Sequence, residues 1–220
     1  MTPRNVLITG GTGYVGRALI PRLLVRGHEV RALVRRGSAE KLPRGCKAVI
    51  GNALDASSFA ELVQPSDTFV QLVGVPHRSP AKAAEFRSID LASVRASVSA
   101  AAGAGVKHFI YVSVAQPSPV MKAYQATRAE GEQMISDGGL ASTILRPWYV
   151  LGPGHRWPYA LVPMYWLFES IPATRETARR LGLVTLEEMT TALLHAVESP
   201  ADGIRVLDVP SIRKTALAHQ

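Results

Sequence analysis

Only one cysteine, Cys46, occurs in 220 residues, which excludes an intramolecular disulfide. No His/Cys group has the spacing of a zinc site, so no metal ligands are assigned. Such sparing use of cysteine is what a reducing cytoplasm leads one to expect. The opening Met1-Thr2-Pro3-Arg4-Asn5 lacks the charged, apolar and small-residue succession of a secretory signal, so a cytoplasmic location without export is expected. No stretch supplies the ~20 apolar residues of a spanning helix; the nearest, residues 157–172, is interrupted by Pro158, Pro163 and Glu169. Interleaved aromatics and recognisable nucleic-acid modules are missing as well. The formal charge of +8 comes from arginines and lysines that are mostly scattered singly along the chain, so nucleic acid is not expected as a partner. Repeats, low-complexity tracts and dividing linkers are lacking, which leaves one domain over residues 1–220.

What is present is apolar and alternating. With 47% hydrophobic residues the chain can bury a substantial core. Short β-rich runs at 5–9, 29–34, 47–50, 68–73, 108–113 and 142–145 are separated by helical patterns, the signature of βαβ units and a parallel sheet. A first helix is expected over 14–26, bent at Pro21, whose missing N–H and ring clash cost ~3 kcal/mol inside a helix. Beyond Pro147 prolines, glycines and aromatics crowd residues 148–172. An amphipathic helix at 185–198 and a last strand at 204–209 follow. Right-handed crossovers wind this order into a Rossmann-type doubly wound α/β sheet, with its ligand crevice at the carboxyl ends of the strands.

The first crossover carries the chemistry. Asn5-Val6-Leu7-Ile8-Thr9 runs into Gly10-Gly11-Thr12-Gly13-Tyr14-Val15-Gly16, a glycine pattern that leaves a strand, opens a helix and precedes a second strand at βαβ distance. Gly10 permits the tight turn, Gly13 lets the backbone approach a pyrophosphate, and Gly16 allows close helix packing, while the amides of Thr12, Tyr14 and Val15 lie at the positive helix end. A nicotinamide dinucleotide is the expected cofactor. The second strand ends in Val34-Arg35-Arg36-Gly37-Ser38 where an NAD-specific protein offers a carboxylate. Arg35 and Arg36 are suited to a 2′-phosphate, so NADP(H) is the expected preference, with NAD(H) as the other option. The same arginines are also compatible with a solvated loop.

With these motifs assembled, the chain resembles the atypical short-chain dehydrogenase/reductases, in particular the NmrA-like, NAD(P)H-binding branch. Further local signatures are Gly51-Asn52-Ala53-Leu54-Asp55, Leu72-Val73-Gly74, Tyr111-Val112-Ser113 and Thr143-Ile144-Leu145-Arg146-Pro147. The resemblance implies that Asn52 meets the adenine amino group, where relatives commonly have aspartate, and that Ala53, Val73, Gly74, Ser113 and Pro147 line the rest of the cofactor groove. It also implies a general acid/base tyrosine with a cation four residues on, matched here by Tyr124 and Arg128, the latter also reaching the nicotinamide ribose. Spacing of four puts the two on one helical face. Arginine stands where lysine is usual, and Val114 and Ala115 stand where a substrate-steadying hydroxyl is usual.

His77 and His155 fall in loops near the crevice without partners visible in the sequence, and no catalytic role is assigned to them. Trp148, Tyr149, His155, Arg156 and Trp157 are candidates for a pocket within a C-terminal substrate-side lid over 147–182; a hydrophobic cap or a homodimer contact is the competing reading. The leading functional expectation is an NAD(P)H-dependent oxidoreductase acting on a small-molecule carbonyl, quinone or similar acceptor. A non-catalytic NADP(H)-binding sensor or accessory subunit is the second, and a nucleotide-sugar epimerase or dehydratase the third.

Overall fold

Val6, Leu7 and Ile8 of the first strand, β1 (Asn5–Thr9), are all fully buried, Val6 and Ile8 in one hydrophobic cluster and Leu7 in another. A strand covered on both faces belongs in a parallel sheet between two helical layers. The computed structural model, which describes residues 2–76, 79–153, 168 and 170–218, has that architecture. Strands β2 (Glu29–Val34), β3 (Lys47–Ile50), β4 (Thr68–Gln71), β5 (His108–Val112) and β6 (Ser142–Leu145) join β1 in the main sheet. Strands β7 (Tyr149–Leu151) and β8 (Leu183–Thr185) form a separate parallel pair, and β9 (Ile204–Leu207) returns to the main sheet beside β6. Among the described residues the main sheet has seven strands in the order β3-β2-β1-β4-β5-β6-β9, all parallel. The order reverses between β1 and β4, the switch point that opens a crevice at the strand ends.

Helices cover both faces. Against one lie α1 (Tyr14–Val25) and, later in the chain, the helices Leu186–Glu198 and Val209–Ala218, burying Leu19, Ile20, Leu193 and Ile212. Against the other lie α3 (Ala92–Gly103) and α4 (Lys122–Asp137), α3 being preceded by α2 (Ala83–Glu85) and a π-helical turn at Phe86–Leu91. Register pairs Phe69 of β4 with Phe109 of β5, and their rings stack at 5.3 Å. Helix α5 (Pro172–Arg180) precedes β8; the two later helices are α6 (Leu186–Glu198) and α7 (Val209–Ala218).

The strands expected from sequence occupy the sheet, with three ends corrected. Strand β4 stops at Gln71 rather than 73, because the Gln71 side chain accepts the amide of Val73 and turns the chain away. Strand β5 stops at Val112 rather than 113. Strand β9 stops at Leu207 rather than 209, because Asp208 accepts the Ser211 amide and starts α7, a helix that the sequence reading lacks. Helix α6 begins one residue late, with Thr185 as its cap in a reciprocal bond with Glu188. Helix α1 continues through Pro21 to Val25 without interruption. The next residue, Arg22, donates to the hydroxyls of Thr190 and Thr191, tying α1 to α6 across the break in the backbone ladder. Of the expected lid, Trp148, the β7–β8 pair and α5 are described; His77, His155, Arg156 and Trp157 lie outside the described residues. No helix among the described residues is long and apolar enough to cross a membrane, and no group of His, Cys, Asp and Glu among them could hold a metal ion.

Candidate functional site

The glycine turn at the end of β1 is held by crowding that only hydrogen side chains relieve. Gly10 has φ +78, and a Cβ there would sit 2.8 Å from the Leu72 carbonyl carbon. A Cβ on Gly16 would lie 2.5 Å from the Gly10 carbonyl oxygen, so α1 packs directly on the turn. At Gly13, by contrast, a Cβ would meet one atom within 4 Å among the described residues, the Gly10 oxygen at 3.1 Å. Gly13 is the N-cap of α1 with no side-chain cap bond and no acid in the first turn. First-turn amides have no intrahelical acceptor, and with the dipole they favour an anion. The cradle therefore has the shape and polarity that a pyrophosphate requires.

From this turn an accessible rim runs along the ends of β2, β3 and β4. Thr12, Tyr14 and Val15 are half-buried, Arg35 and Arg36 exposed, Asn52 exposed, Ala53 and Val73 half-buried, and Gly74 exposed. Among the described residues neither Arg35 nor Arg36 has an ion-pair partner. The Asn52 carbonyl oxygen already accepts the Leu54 amide at 3.1 Å, which fixes the side chain while leaving its second lone pair.

The other expected site residues are covered. Tyr124, on α4, is 3% exposed and packs with Val75, Phe86, Val114, Ala115, Trp148 and Leu181. Its ring meets that of Phe86 at 5.0 Å. Val114 and Ala115, at the places of the missing hydroxyl, thus serve as apolar wall. Arg128, one turn along α4, donates from Nε to the Tyr124 hydroxyl at 3.1 Å and from Nη1 to the Tyr111 hydroxyl and the Val112 carbonyl at 3.2 and 3.1 Å. Its guanidinium carbon lies 5.1 Å from the Tyr124 ring centre and 5.5 Å from that of Tyr111.

The counter-charge to Arg128 was missed in the sequence. Asp90, wholly buried, accepts from Arg128 Nη2 at 2.5 Å through one oxygen and from the Val75 amide at 2.9 Å through the other. Burial alone would lower the Arg128 pKa, but Tyr111, Tyr124 and Asp90 outweigh it and hold the guanidinium charged. Burial pushes the Tyr111 phenol up to about 12, against the opposing pull of Arg128. Ser93 donates to the Asp90 carbonyl and receives from Gln71, whose oxygen in turn accepts from Thr9 and from the Val73 amide. A buried polar chain so runs from the strand before the glycine turn to Tyr124. One signal for Asp90 was in the sequence: with Phe86 and Val94 it forms an i, i+4, i+8 stripe, an acid on the apolar face of a helix.

Ser113 is 2% exposed, and its hydroxyl donates to Glu132 at 2.5 Å. Glu132 also receives Gln116 and two nitrogens of Arg146, next to the buried Pro147. Tyr124, Arg128 and Glu132 repeat every four residues, so a single face of α4 supplies all three.

Residues 10–160 match the model of a family described as NAD(P)H-binding. A ceramide reductase of Caulobacter vibrioides is 26% identical over 201 residues, covering 90% of this chain and 62% of that protein. A 3-diazoavenalumate denitrifying reductase of a Streptomyces species is 27% identical over 231 residues, covering 90% of this chain and 74% of that protein. The chain thus spans less than two thirds of the length of the first of these. Among solved structures, the Bordetella bronchiseptica enzyme WbmH in complex with NAD+ superimposes with a TM-score of 0.70 at 19% identity, over 98% of this chain and 79% of that one.

Proposed function

The chain belongs to the NAD(P)H-binding family, and on that premise we propose that it is an oxidoreductase of the atypical short-chain dehydrogenase/reductase class, binding NADP(H) in preference to NAD(H) and reducing a carbonyl, quinone or similar acceptor. In this reading the amides of Thr12, Tyr14, Val15 and Gly16, with Gly10 and Gly13 giving room, hold the pyrophosphate. Arg35 and Arg36 take the 2′-phosphate, Asn52 and Ala53 meet the adenine, and Val73, Gly74, Ser113 and Pro147 border the nicotinamide end. The bound dinucleotide supplies or accepts a hydride at the nicotinamide C4.

The observation that carries the reading is the Tyr124–Arg128 contact, a donor held 3.1 Å from the phenol oxygen that fixes the position of a general acid. Tyr124 gives a proton to the acceptor oxygen, or takes one in reverse. Arg128 orients Tyr124 by donating to its hydroxyl; the one N–H of Nη2 not engaged among the described residues is left to meet a ribose hydroxyl past Gly74. Reductase activity in two relatives supports the class of reaction. The test is a screen of aldehydes and quinones for NADPH oxidation. Turnover that falls about a thousandfold in Tyr124→Phe, with NADPH affinity unchanged, is expected for loss of a general acid; equal turnover in the variant removes Tyr124 from the chemistry.

A second reading, a non-catalytic NADP(H)-binding protein, draws on the apolar wall at Val114 and Ala115 and on the burial of Tyr124. Tight NADPH binding with no turnover across the screen selects it.

A further inference from the structure

We propose that Asp90 is a positioning residue that couples the cofactor wall to Tyr124 by neutralising and anchoring Arg128. The inference rests on the reading of Tyr124 as the proton exchanger, but its test does not require turnover.

The geometry gives Asp90 two attachments at once. One oxygen holds Arg128 Nη2 at 2.5 Å, and the other holds the amide of Val75 at 2.9 Å, the residue after Gly74 in the expected wall of the dinucleotide groove. Gly74 lies directly over this pair: a Cβ on it would be 2.5 Å from Arg128 Nη2 and 3.3 Å from the Asp90 oxygen. Asp90 sits in the π-helical turn Phe86–Leu91, a local widening of the helix that recurs at functional sites. The Asp90 main-chain carbonyl is fixed in turn by Ser93, and Ser93 by Gln71, which also takes the Val73 amide. The wall residues Val73 and Val75 are therefore hung from the same polar chain that ends at the Tyr124 hydroxyl.

Charge follows from the same arrangement. The charged or titratable groups seen around the Tyr124 hydroxyl include Arg128 on its own helix and, reached through Arg128, Tyr111 on β5 and Asp90 on the π-helical turn. With Asp90 ionised, Arg128 is half of a buried ion pair. With Asp90 made neutral, Arg128 acts as an uncompensated cation in a site of low dielectric, and the phenolate gains.

The experiment is an alkaline absorbance titration of the tyrosines in the ligand-free chain, with the Tyr124 transition isolated by subtracting the matching Tyr124→Phe protein. In Asp90→Asn that transition is expected about one pH unit or more below wild type. The double variant Asp90→Asn/Arg128→Met, which leaves no unpaired buried charge and so keeps the fold, is expected to move it above wild type. Circular dichroism checks each variant. A Tyr124 transition unmoved in either folded variant overturns the proposal. Absence of turnover in every protein would instead count against the functional reading and leave this titration intact as a test.

Discussion

Arg128 Nε lies 3.1 Å from the hydroxyl of Tyr124, one helical turn back along α4, and donates to it with both residues buried, Arg128 5% and Tyr124 3% exposed. A surface tyrosine beside a surface arginine would make no such bond reliably, because solvent competes for both groups. Burial turns the four-residue spacing into a fixed interaction, and it sets the energetic stakes of changing either partner.

Replacing Arg128 alone by methionine leaves Asp90 buried, charged and without its cation. We expect a loss of about 3–5 kcal/mol in unfolding free energy, read by urea denaturation. Asp90→Asn/Arg128→Met is expected to lose clearly less. If the single and double variants are equally stable, the two side chains do not act as a pair.

Gly16→Ala puts a methyl group 2.5 Å from the Gly10 oxygen, and backbone cannot yield as a flexible side chain does. The expected cost is about 1–3 kcal/mol, together with at least tenfold weaker NADPH binding as α1 is pushed off the turn. A variant with wild-type stability and affinity contradicts the close packing.

Arg35→Glu reverses the charge at the end of β2, where the side chain is exposed. Repulsion of the 2′-phosphate is expected to weaken NADPH by tenfold or more while NADH changes little. An unchanged NADPH-to-NADH ratio assigns the 2′-phosphate contact elsewhere.

The expectations that held are those written in local pattern. Apolar runs such as Val6-Leu7-Ile8 become two-faced strands because a parallel sheet has no solvent face, and the glycine turn is legible because Gly10 and Gly16 are each forced by a backbone contact. Asp90 was not legible in the same way. Its partner Arg128 is 38 residues away on another helix, a separation that no local pattern records. Gln71 reads as one more residue of a strand, yet its side chain ends that strand by capturing Val73. The β7–β8 pair unites residues more than thirty positions apart through three-residue strands, too short for any periodicity to register.

Acid sensitivity has an identifiable source in His108. Burial, with smaller contributions from Arg205 and Arg4, lowers its pKa from 6.5 to about 4. Its Nε2 accepts the Ala201 amide and faces the Thr143 hydroxyl, contacts that the neutral ring satisfies. The unfolded chain binds a proton below pH 6.5 that the folded chain refuses, so stability present at neutral pH falls as pH drops toward about 4, by about 3 kcal/mol. Urea midpoints of wild type and His108→Gln across this range should converge on acidification. Parallel curves would remove His108 as the cause.

The amino end of α1 is the proposed seat of the dinucleotide pyrophosphate, and Gly13→Asp tests that most directly. Gly13 has φ −78 and ψ 177, which any residue adopts, and a Cβ there needs the Gly10 oxygen at 3.1 Å to give by a few tenths of an ångström; aspartate can then cap the helix, while its carboxylate occupies the phosphate cradle. In a calorimetric titration the wild-type chain is predicted to bind NADPH, and Gly13→Asp, checked as folded by circular dichroism, to bind at least a hundredfold more weakly. Equal heats from the two proteins, or no heat from the wild type with either NADPH or NADH, would contradict it.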